Sequence, residues 1–193
     1  MRLRSDDHKE LKGMRDTEGS KMAFMITYIK GLFKDTDSKI IMYSQYTNLL
    51  KKSRVVLEKY GIDTLMVQGT MNSRAKAIQQ FNNNKNKRVI MLSSEFASAG
   101  SNLTSADTII FVEPVYGTYQ EKIDTEDQAI GRILRIGQNK DLTIVRFIVR
   151  NSVEEDQHNI FYQSIDKPDS DLSQFFTDEM MYSSSMKLNR NIE

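Results

Sequence analysis

Two arginines three residues apart, Arg132 and Arg135, lie in an otherwise apolar stretch, "DQAIGRILRIGQ" at 127–138. If this stretch is helical, Gln128, Arg132 and Arg135 stand at i, i+4 and i+7 and share one stripe. A guanidinium group is a planar fork of donors that suits bidentate recognition of an anion, and phosphate is the anion we expect. Taken alone, the segment leaves two interpretations open: an anion-binding stripe, or a surface helix with solvated arginines.

The rest of the same segment predicts how such a helix is held. Gly131 lies beside the arginines, where the missing side chain allows a ligand or another chain to approach, and Gly137 is expected to end the helix. The opposite face is apolar and is predicted to pack on a core; it consists of Ala129, Ile130, Ile133, Leu134 and Ile136.

Composition narrows the classes of protein. The 193 residues suffice for one sizeable domain, and no run is long or apolar enough for a membrane span or a signal peptide. There is no cysteine and there are only two histidines, His8 and His158, which argues against a disulfide framework, a thiolate zinc site and a histidine-rich metal site. Absence of cysteine suits the nucleus or cytoplasm, and the many lysine and asparagine codons suit an A/T-rich genome such as that of a large virus or a protist.

The charge is nearly balanced, with 27 basic and 26 acidic residues and a net charge of +1. Any contact with nucleic acid must therefore come from a local patch, because the overall field is close to neutral.

Short apolar segments alternate with amphipathic ones along the chain. This order predicts an α/β fold, a three-layer α/β/α arrangement with a mainly parallel sheet. Strands are predicted within 40–43, 63–69, 87–94, 105–114 and 142–149. Helices are predicted over 21–34 with Ser20 as cap, 47–60, 72–84 with Asn72 or Ser73 as cap, 127–137, and 153–164 with Ser152 as cap.

Small or polar residues follow the predicted strands. In open α/β sheets, ligands bind outside the carboxyl ends of the strands, so these residues are candidates for a site. The alternative is that they are ordinary polar loop residues. They are Ser44 and Gln45, Gln68 and Gly69, Ser93 and Ser94, and Glu113.

Three segments differ in character. Residues 1–19 are charged and are expected to form a flexible lead-in, mobile or partly helical. Residues 20–165 are predicted to form the α/β lobe. Residues 166–193 are rich in Ser, Met and Asp and are expected to form a tail, with Phe175 and Phe176 packing on the lobe.

Four blocks in this order resemble the second RecA-like lobe of superfamily-two helicases and translocases, and most closely the Swi/Snf-type DNA translocases. "KIIMYSQYTNLL" resembles motif IV, and "TLMVQGTMNSRAKAIQQFNNN" resembles the block that follows it. "VIMLSSEFASAGSNLTSADTIIFVEPVY" resembles motif V, and "EDQAIGRILRIGQNKDLTIVRFIVRNSVEE" resembles motif VI and its continuation. The resemblance covers roughly residues 20–160 and implies a RecA-like lobe.

The resemblance assigns the arginine stripe to ATP. Motif VI faces the cleft between two lobes, so Arg135 is expected to be an arginine finger toward the γ-phosphate and Arg132 its neighbour on the same anion. Gln128 is expected to hydrogen-bond near the phosphates, the alternative being a simple polar residue at a helix start. Gly100 and Asn102 resemble the Gly-x-Asn element that approaches the nucleotide.

The resemblance also assigns DNA-backbone contacts to three strand ends. Such neutral contacts fix the position along the backbone and carry no base specificity. The residues implied are Ser44 and Gln45 in motif IV, Gly69 and Thr70 in the next turn, and Ser93 and Ser94 in motif V.

This sequence departs from the family pattern in two motifs. In motif V, Ala97 and Ser98 stand where the family often has two glycines, and Glu95 stands near a family Arg or Asp, which bears on how closely the backbone approaches a ligand. In motif VI, Leu134 replaces a common histidine but lies away from the arginine stripe.

Two elements of an ATPase are missing from the sequence. There is no Gly-x-x-x-x-Gly-Lys-Ser/Thr loop and no Asp-Glu-x-His or Asp-Glu-Ala-Asp segment. In the family these belong to the first RecA-like lobe, which also holds the Mg²⁺ that accompanies ATP. The chain is therefore expected to be half of a motor from a longer protein, inactive in ATP hydrolysis alone, and partnered by a first lobe and by duplex DNA.

Two other functions remain open. A strand-separating helicase of the same superfamily is one, although the Arg-Ile-Gly-Gln ending favours a duplex translocase. A non-catalytic module that binds nucleic acid or a protein partner is the other; the altered motif V favours it and the two arginines argue against it. A free-standing α/β enzyme of another kind would need a nucleophile with a base, or a metal cluster, and the sequence offers neither.

Overall fold

Parallel strands alternate with helices through most of the chain. The computed structural model describes residues 5–97, 102–131, 141–163 and 181–188. The helices are α1 (Ser5–Glu18), α2 (Ser20–Asp35), α3 (Thr47–Lys59), α4 (Met71–Asn83), α5 (Ser94–Ala97), α6 (Tyr119–Ile130) and α7 (Val153–Gln163). The strands are β1 (Ile40–Ser44), β2 (Thr64–Met66), β3 (Val89–Ser93), β4 (Thr108–Phe111), β5 (Leu142–Val149) and β6 (Met181–Leu188).

The strands form one sheet in the order β2-β3-β1-β4-β5-β6. From β2 to β5 every pair is parallel, and β6 pairs with β5 in the antiparallel direction. The predicted α/β fold with a mainly parallel sheet is confirmed. Because β1 lies between β3 and β4, the carboxyl ends of β3 and β4 stand on either side of its own, and that of β2 follows beyond β3.

Both faces of the sheet are covered, which is why the central strands read as continuous apolar runs. Every residue of β1 and β3 is buried. Ile40 and Met42 pack into a cluster with Phe24 and Leu57 from the helices on one face. Ile41 and Tyr43, on the alternate positions of β1, pack into a second cluster that includes Phe81 of α4 and Ala129 of α6. The result is the three-layer arrangement that the alternation predicted.

Two helix starts differ from the sequence prediction. The N-cap of α4 is Thr70, whose Oγ1 accepts from the backbone N–H of Ser73 at 3.3 Å, so neither Asn72 nor Ser73 is the cap. Helix α2 already includes Ser20, and Gly19 precedes it with φ 82° and no capping side chain. At α7 the prediction is correct, since Ser152 Oγ accepts from the N–H of Glu154 at 3.2 Å.

Helix α6 begins well before the predicted position at residue 127. Thr118 is its N-cap, and a capping box joins Thr118 and Glu121 reciprocally. The segment before residue 127 is therefore helix from Tyr119, and the described part of α6 ends at Ile130, followed by Gly131. Ala129 is fully buried and Ile130 packs on the core as predicted; Ile133, Leu134, Ile136 and Gly137 lie outside the described residues.

The two terminal segments contain regular structure. Within residues 1–19, α1 is helical, and Leu11 and Met14 are buried in the core with residues of α2. Within residues 166–193, the strand β6 extends the sheet beside β5. Phe175 and Phe176 lie outside the described residues, and the division into lead-in, lobe and tail stays a prediction.

At the amino ends of the strands, two cationic side chains donate hydrogen bonds to carbonyls at the carboxyl ends of helices. The buried Lys39 donates to the carbonyls of Phe81 and Asn84 at the end of α4. Arg88 donates to Thr36 O at 2.7 Å after α2 and stacks 3.7 Å from the Phe33 ring centre. Both are favourable partners for terminal carbonyls. This edge is thus occupied by structural contacts, and the candidate site lies at the opposite edge.

Candidate functional site

The carboxyl ends of the central strands bring the predicted serines together. Ser44 ends β1 and pairs in register with Ser93, which ends β3. On the other side of β1, the N–H of Val112 donates to Tyr43 O at 3.0 Å just after β4. Parallel pairing is the cause, because it stacks strands that are distant in sequence with their carboxyl ends at one edge.

A buried carboxylate, Glu113, holds the turn after β1. Ser44 Oγ donates to its Oε1 at 2.8 Å, and the backbone N–H of Gln45 donates to the same oxygen at 2.7 Å. Glu113 is only 6% exposed, and its Oε2 has no hydrogen-bond partner in the described part of the chain. Burial raises the pKa of Glu113 above its ordinary value, and the bonds from Gln45 and Ser44 offset part of that rise.

Gln45 joins the same turn to the segment that precedes α6. Its Oε1 accepts from the N–H of Tyr116 at 2.6 Å, and its Nε2 donates to Tyr116 O at 3.0 Å. The side-chain amide therefore satisfies both backbone groups of one residue. This contact fixes the 112–118 segment, and with it the start of α6, against the end of β1.

Motif V joins the network through two serines in different environments. Ser93 is 1% exposed, and its Oγ accepts from Thr47 Oγ1 at 3.0 Å. Thr47 Oγ1 also lies 3.0 Å from Glu95 Oε2. Ser94 is exposed, and its Oγ donates to Gln45 O at 3.0 Å. Ser44, Gln45 and Ser94 thus form one hydrogen-bonded group, and Ser93 stands beside it, paired in register with Ser44 and bonded to Thr47.

The turn after β2 has a more open structure. Gly69 and Thr70 are both exposed. Gly69 adopts φ +79°, a conformation that favours glycine, and Thr70 caps α4. Their described side-chain hydrogen bonds stay within the first turn of α4, since Thr70 Oγ1 also lies 3.0 Å from Ser73 Oγ.

Two of the nucleotide candidates, Gln128 and Asn102, lie in described segments. Gln128 is exposed on the last described turn of α6. Asn102 is exposed and its carbonyl accepts from Asn82 Nδ2 at 2.8 Å. Gly100, Arg132 and Arg135 lie outside the described residues. In the ranges that are described, neither Gln128 nor Asn102 shares a hydrogen bond with the strand-end serines.

Helix α6, which leads into the arginine stripe, is anchored at two buried points. Both carboxylate oxygens of Glu126 accept from the guanidinium of Arg146 on β5, and Arg146 also lies 5.3 Å from the Phe111 ring centre. Lys122, 5% exposed, donates to Gln157 Oε1 on α7 at 3.0 Å. These contacts fix the rotation of the described part of α6 about its axis.

The sequence pattern marks Glu113 only as a strand-end residue and gives no site role to Thr47, Tyr116 or Glu126. A carboxylate two residues beyond a buried strand was a usable signal for Glu113. The contacts of the others could not be found in the sequence, because their partners are distant along the chain.

No helix in the described ranges is long and apolar enough to cross a membrane.

Comparison with known proteins identifies the family to which the chain belongs. Residues 20–137 match the helicase conserved C-terminal domain family. The DNA repair protein RAD5B of Arabidopsis thaliana is 31% identical over 141 residues, 72% of this chain and 11% of that protein. The DNA repair protein rhp54 of Schizosaccharomyces pombe is 31% identical over 154 residues, 76% of this chain and 18% of that protein. The chain therefore spans less than a fifth of the length of these relatives.

Solved structures show the same fold. The C-terminal part of the Fun30 ATPase domain matches with a TM-score of 0.66 at 24% identity, over 73% of this chain and 44% of that one. The SWI2/SNF2 ATPase core of Sulfolobus solfataricus in complex with double-stranded DNA matches with a TM-score of 0.60 at 23% identity, over 77% of this chain and 32% of that one. The family match establishes that the chain belongs to the helicase conserved C-terminal domain family, and the solved structures show that it shares the fold of the Fun30 and SWI2/SNF2 ATPase domains.

Proposed function

We propose that the chain is the second motor lobe of an ATP-dependent translocase on double-stranded DNA. The observation that carries the proposal is the juxtaposition at the carboxyl ends of β1 and β3, where Ser94 donates to the Gln45 carbonyl and Ser93 pairs in register with Ser44. It joins motifs IV and V at the edge where open α/β sheets bind their ligands. The names of the relatives, which are DNA repair proteins, support a role on DNA and a nuclear location.

The DNA contacts are divided between exposed and buried residues. Gly69, Thr70 and Ser94 are exposed and can reach a phosphate of the backbone. Ser44 and Ser93 are buried, and their hydroxyls are engaged inside the lobe. We infer that the buried pair, together with Gln45, sets the shape of the turns on which the exposed groups stand.

ATP is the proposed substrate, held between this lobe and a first RecA-like lobe. Arg135 stabilises the charge that develops on the γ-phosphoryl oxygens, and Arg132 binds the same anion. Gln128, Gly100 and Asn102 line the nucleotide from this side. The phosphate loop and the Mg²⁺ are expected on the first lobe. The buried contacts of Glu126 and Lys122 support this assignment, because a finger must be held close to its productive geometry.

The cycle follows from completion of the site across two lobes. ATP favours the closed arrangement, and hydrolysis removes that preference. Since both lobes contact the same strand, each cycle of closure and opening moves these contacts along the duplex.

The test is DNA-stimulated ATP hydrolysis by the natural polypeptide that carries this lobe together with a first lobe. Arg135→Ala is expected to lower the rate by about a thousandfold or more. Arg54→Ala is the matched control, because Arg54 is an arginine on α3 that pairs with Glu58 at 2.7 Å. The 193-residue chain alone is expected to be inactive. A variant at position 135 that keeps full activity would show that the stripe is only a solvated helix face.

A second function, a non-catalytic binding module, is favoured by one feature, the Ala97-Ser98 pair in motif V. In that case the natural polypeptide binds duplex DNA with no stimulated hydrolysis.

A separate pair of assays distinguishes translocation from strand separation. A translocase displaces the third strand of a triplex, whereas a strand-separating helicase also separates a simple duplex.

A further inference from the structure

A shielded ion pair joins the start of α2 to the start of α7. Lys21 Nζ donates to Glu154 Oε1 at 2.5 Å, and each of the two side chains is only 19% exposed. Glu154 comes 133 residues after Lys21 along the chain. Because solvent and salt screen a partly buried pair less than a surface pair, this contact holds the two helices in a defined relation.

Lys21 makes a second contact at the end of β4. The same ammonium group donates to the carbonyl of Val112 at 2.9 Å. Val112 follows β4 directly and begins the 112–118 segment, which ends at Thr118, the N-cap of α6. Lys21 therefore fixes the start of the segment that joins motif V to α6.

Helix α7 extends these contacts to α6. The second oxygen of Glu154, Oε2, accepts from the N–H of Val149 at the end of β5, at 3.0 Å. Further along α7, Gln157 Oε1 accepts from Lys122 Nζ of α6 at 3.0 Å. Residues three apart on a helix lie on one face, so Glu154 and Gln157 make these contacts from the same side of α7. Helix α7 is thus placed by Lys21 and β5, and it holds α6 in turn.

The first turn of α6 and the segment before it are therefore held from two directions. Lys21 bonds Val112 directly, and through Glu154 it places α7, which bonds Lys122. Lys21 belongs to none of the four motif blocks and stands 91 residues before Val112. A residue outside the motifs thus helps to determine where the chain between motifs V and VI lies.

We propose that Lys21 is a positioning residue for ATP hydrolysis, which together with Glu154 places the 112–118 segment and α6 against the sheet. Lys21 acts through α6, which carries Gln128 on its last described turn and precedes Arg135 in the sequence. Displacement of a reacting group by about 1 Å can lower a rate about a hundredfold, so a lysine outside the nucleotide site can control kcat. This assignment rests on the proposed function and adds to it a residue that the motifs do not contain.

The experiment measures kcat and the KM for ATP separately, in DNA-stimulated hydrolysis by the natural polypeptide that carries this lobe together with a first lobe. Lys21→Met keeps an unbranched side chain but removes both hydrogen bonds of the ammonium group. It is expected to lower kcat by about tenfold or more and to change KM by about twofold at most, because positioning acts on the transition state. Lys21→Arg can donate to both acceptors and is expected to keep most of the wild-type kcat.

Lys59→Met is the matched control. Lys59 also forms a 2.5 Å ion pair between two helices, with Glu18 of α1, and the described hydrogen bonds of this pair do not reach α6 or α7. Its kcat is expected to equal that of the wild type. Rates are referred to the folded fraction measured by circular dichroism, so a loss of stability alone leaves kcat unchanged. Equal falls in kcat for Lys21→Met and Lys59→Met would overturn the assignment.

The other outcomes separate this assignment from the proposed function. If the wild type is active, Arg135→Ala is inactive and Lys21→Met keeps the wild-type kcat, the function stands and Lys21 has no positioning role. If the wild type shows no stimulated hydrolysis, both fail. Should Lys21→Met not fold, Glu154→Gln decides. Its amide nitrogen cannot accept, so the bond from Lys21 or the bond from Val149 is lost and kcat is expected to fall; a wild-type kcat would refute the positioning role.

Discussion

Two turns at the same edge of the sheet were assigned the same role from the sequence, and the structure builds them differently. The turn after β1 is closed: Ser44 is 1% exposed, and the amide of Gln45 is fully engaged with the backbone of Tyr116. The turn after β2 is open: Gly69 and Thr70 are exposed, and the side-chain bonds of Thr70 stay within its own helix.

The difference shows how one edge can be both rigid and accessible. Buried hydrogen bonds such as those to Glu113 fix the backbone after β1, and a fixed backbone can position its neighbours. Exposed groups such as Thr70 remain free to exchange water for a ligand. Residues with one predicted role therefore divide into a framework and a contact surface, and substitutions in the two turns should have different consequences.

The largest effect is expected for the framework. Glu113→Ala removes the acceptor of the Gln45 N–H, whereas Ser44 Oγ can still donate to Tyr46 O, 3.2 Å away. One partly buried donor, the Gln45 N–H, is left without this acceptor, which costs roughly 1–3 kcal/mol. Urea unfolding of the 193-residue protein measures this loss, and a variant as stable as the wild type would mean that the closed turn does not depend on Glu113.

Glu113→Gln tests the charge separately, because a glutamine oxygen can accept both bonds. Burial raises the pKa of Glu113 above its ordinary 4.5. The stability contributed by the protonated form is fully present below pH 4.5 and is lost as the pH rises through the folded-state pKa. The stability of the wild type relative to Glu113→Gln should therefore fall across that window. A difference that does not change with pH would argue against a raised pKa.

In the open turn, Gly69→Ala separates backbone strain from ligand contact. Gly69 and Gly61 have almost the same backbone angle, φ +79° and +78°, and neither would bring a new Cβ within 3.4 Å of another atom. Alanine at either position should cost about 1–2 kcal/mol of stability through the left-handed conformation. Only Gly69→Ala should also weaken duplex binding in an anisotropy titration, and equal binding by the two variants would place the DNA elsewhere.

Thr70→Ala should have a smaller effect on stability. It removes the N-cap of α4, where Oγ1 accepts from the N–H of Ser73, at a cost of about 1 kcal/mol. Thr70→Ser keeps the hydroxyl and should restore both stability and DNA affinity. If Thr70→Ser restores stability but not affinity, the methyl group and not the hydroxyl is what the DNA contact requires.

The smallest expected effect is at Glu95, an anion at the border between the two turns. Its carboxylate is exposed and lies 3.0 Å from Thr47 Oγ1. Glu95→Gln keeps a hydrogen-bonding group and removes a charge that repels phosphate, so duplex affinity should rise about two- to fivefold at low salt. Glu58→Gln on α3 is the control, since Glu58 already pairs with Arg54. A rise common to both variants would reflect net charge and not this edge.

The elements themselves were largely predictable. The strands β1, β3 and β5 are dense in Ile, Val, Met and Leu and stand between helices with an apolar face, so burial on both sides follows from composition and order. The start of α6 was misplaced because "GTYQEKIDTED" is polar, and its capping box, Thr118 with Glu121, was overlooked. The cap of α4 was predicted at Asn72 or Ser73 and is Thr70, since Thr, Asn and Ser side chains can all accept from a nearby N–H.

Taken by itself, the sequence determined the fold class, the parallel order that the alternation requires, and the residue types at the strand ends. Those features follow from short-range patterns in hydrophobicity and from local backbone preferences. It could not determine which strand-end residue is buried and which is exposed. Ser44 ends one short strand and Thr70 follows another, and both are small hydroxyl residues, yet one faces Glu113 and the other faces solvent.

Only the tertiary structure decided that difference, because the partners lie far apart along the chain. Glu113 reaches Ser44 across 69 residues and Arg146 reaches Glu126 across 20. Arg74 meets Phe96 only because α4 and α5 follow neighbouring strands. A hydrogen bond or ring contact of this kind depends on distances of a few ångströms between separate elements, and those distances are set when the sheet pairs and the helices pack on it.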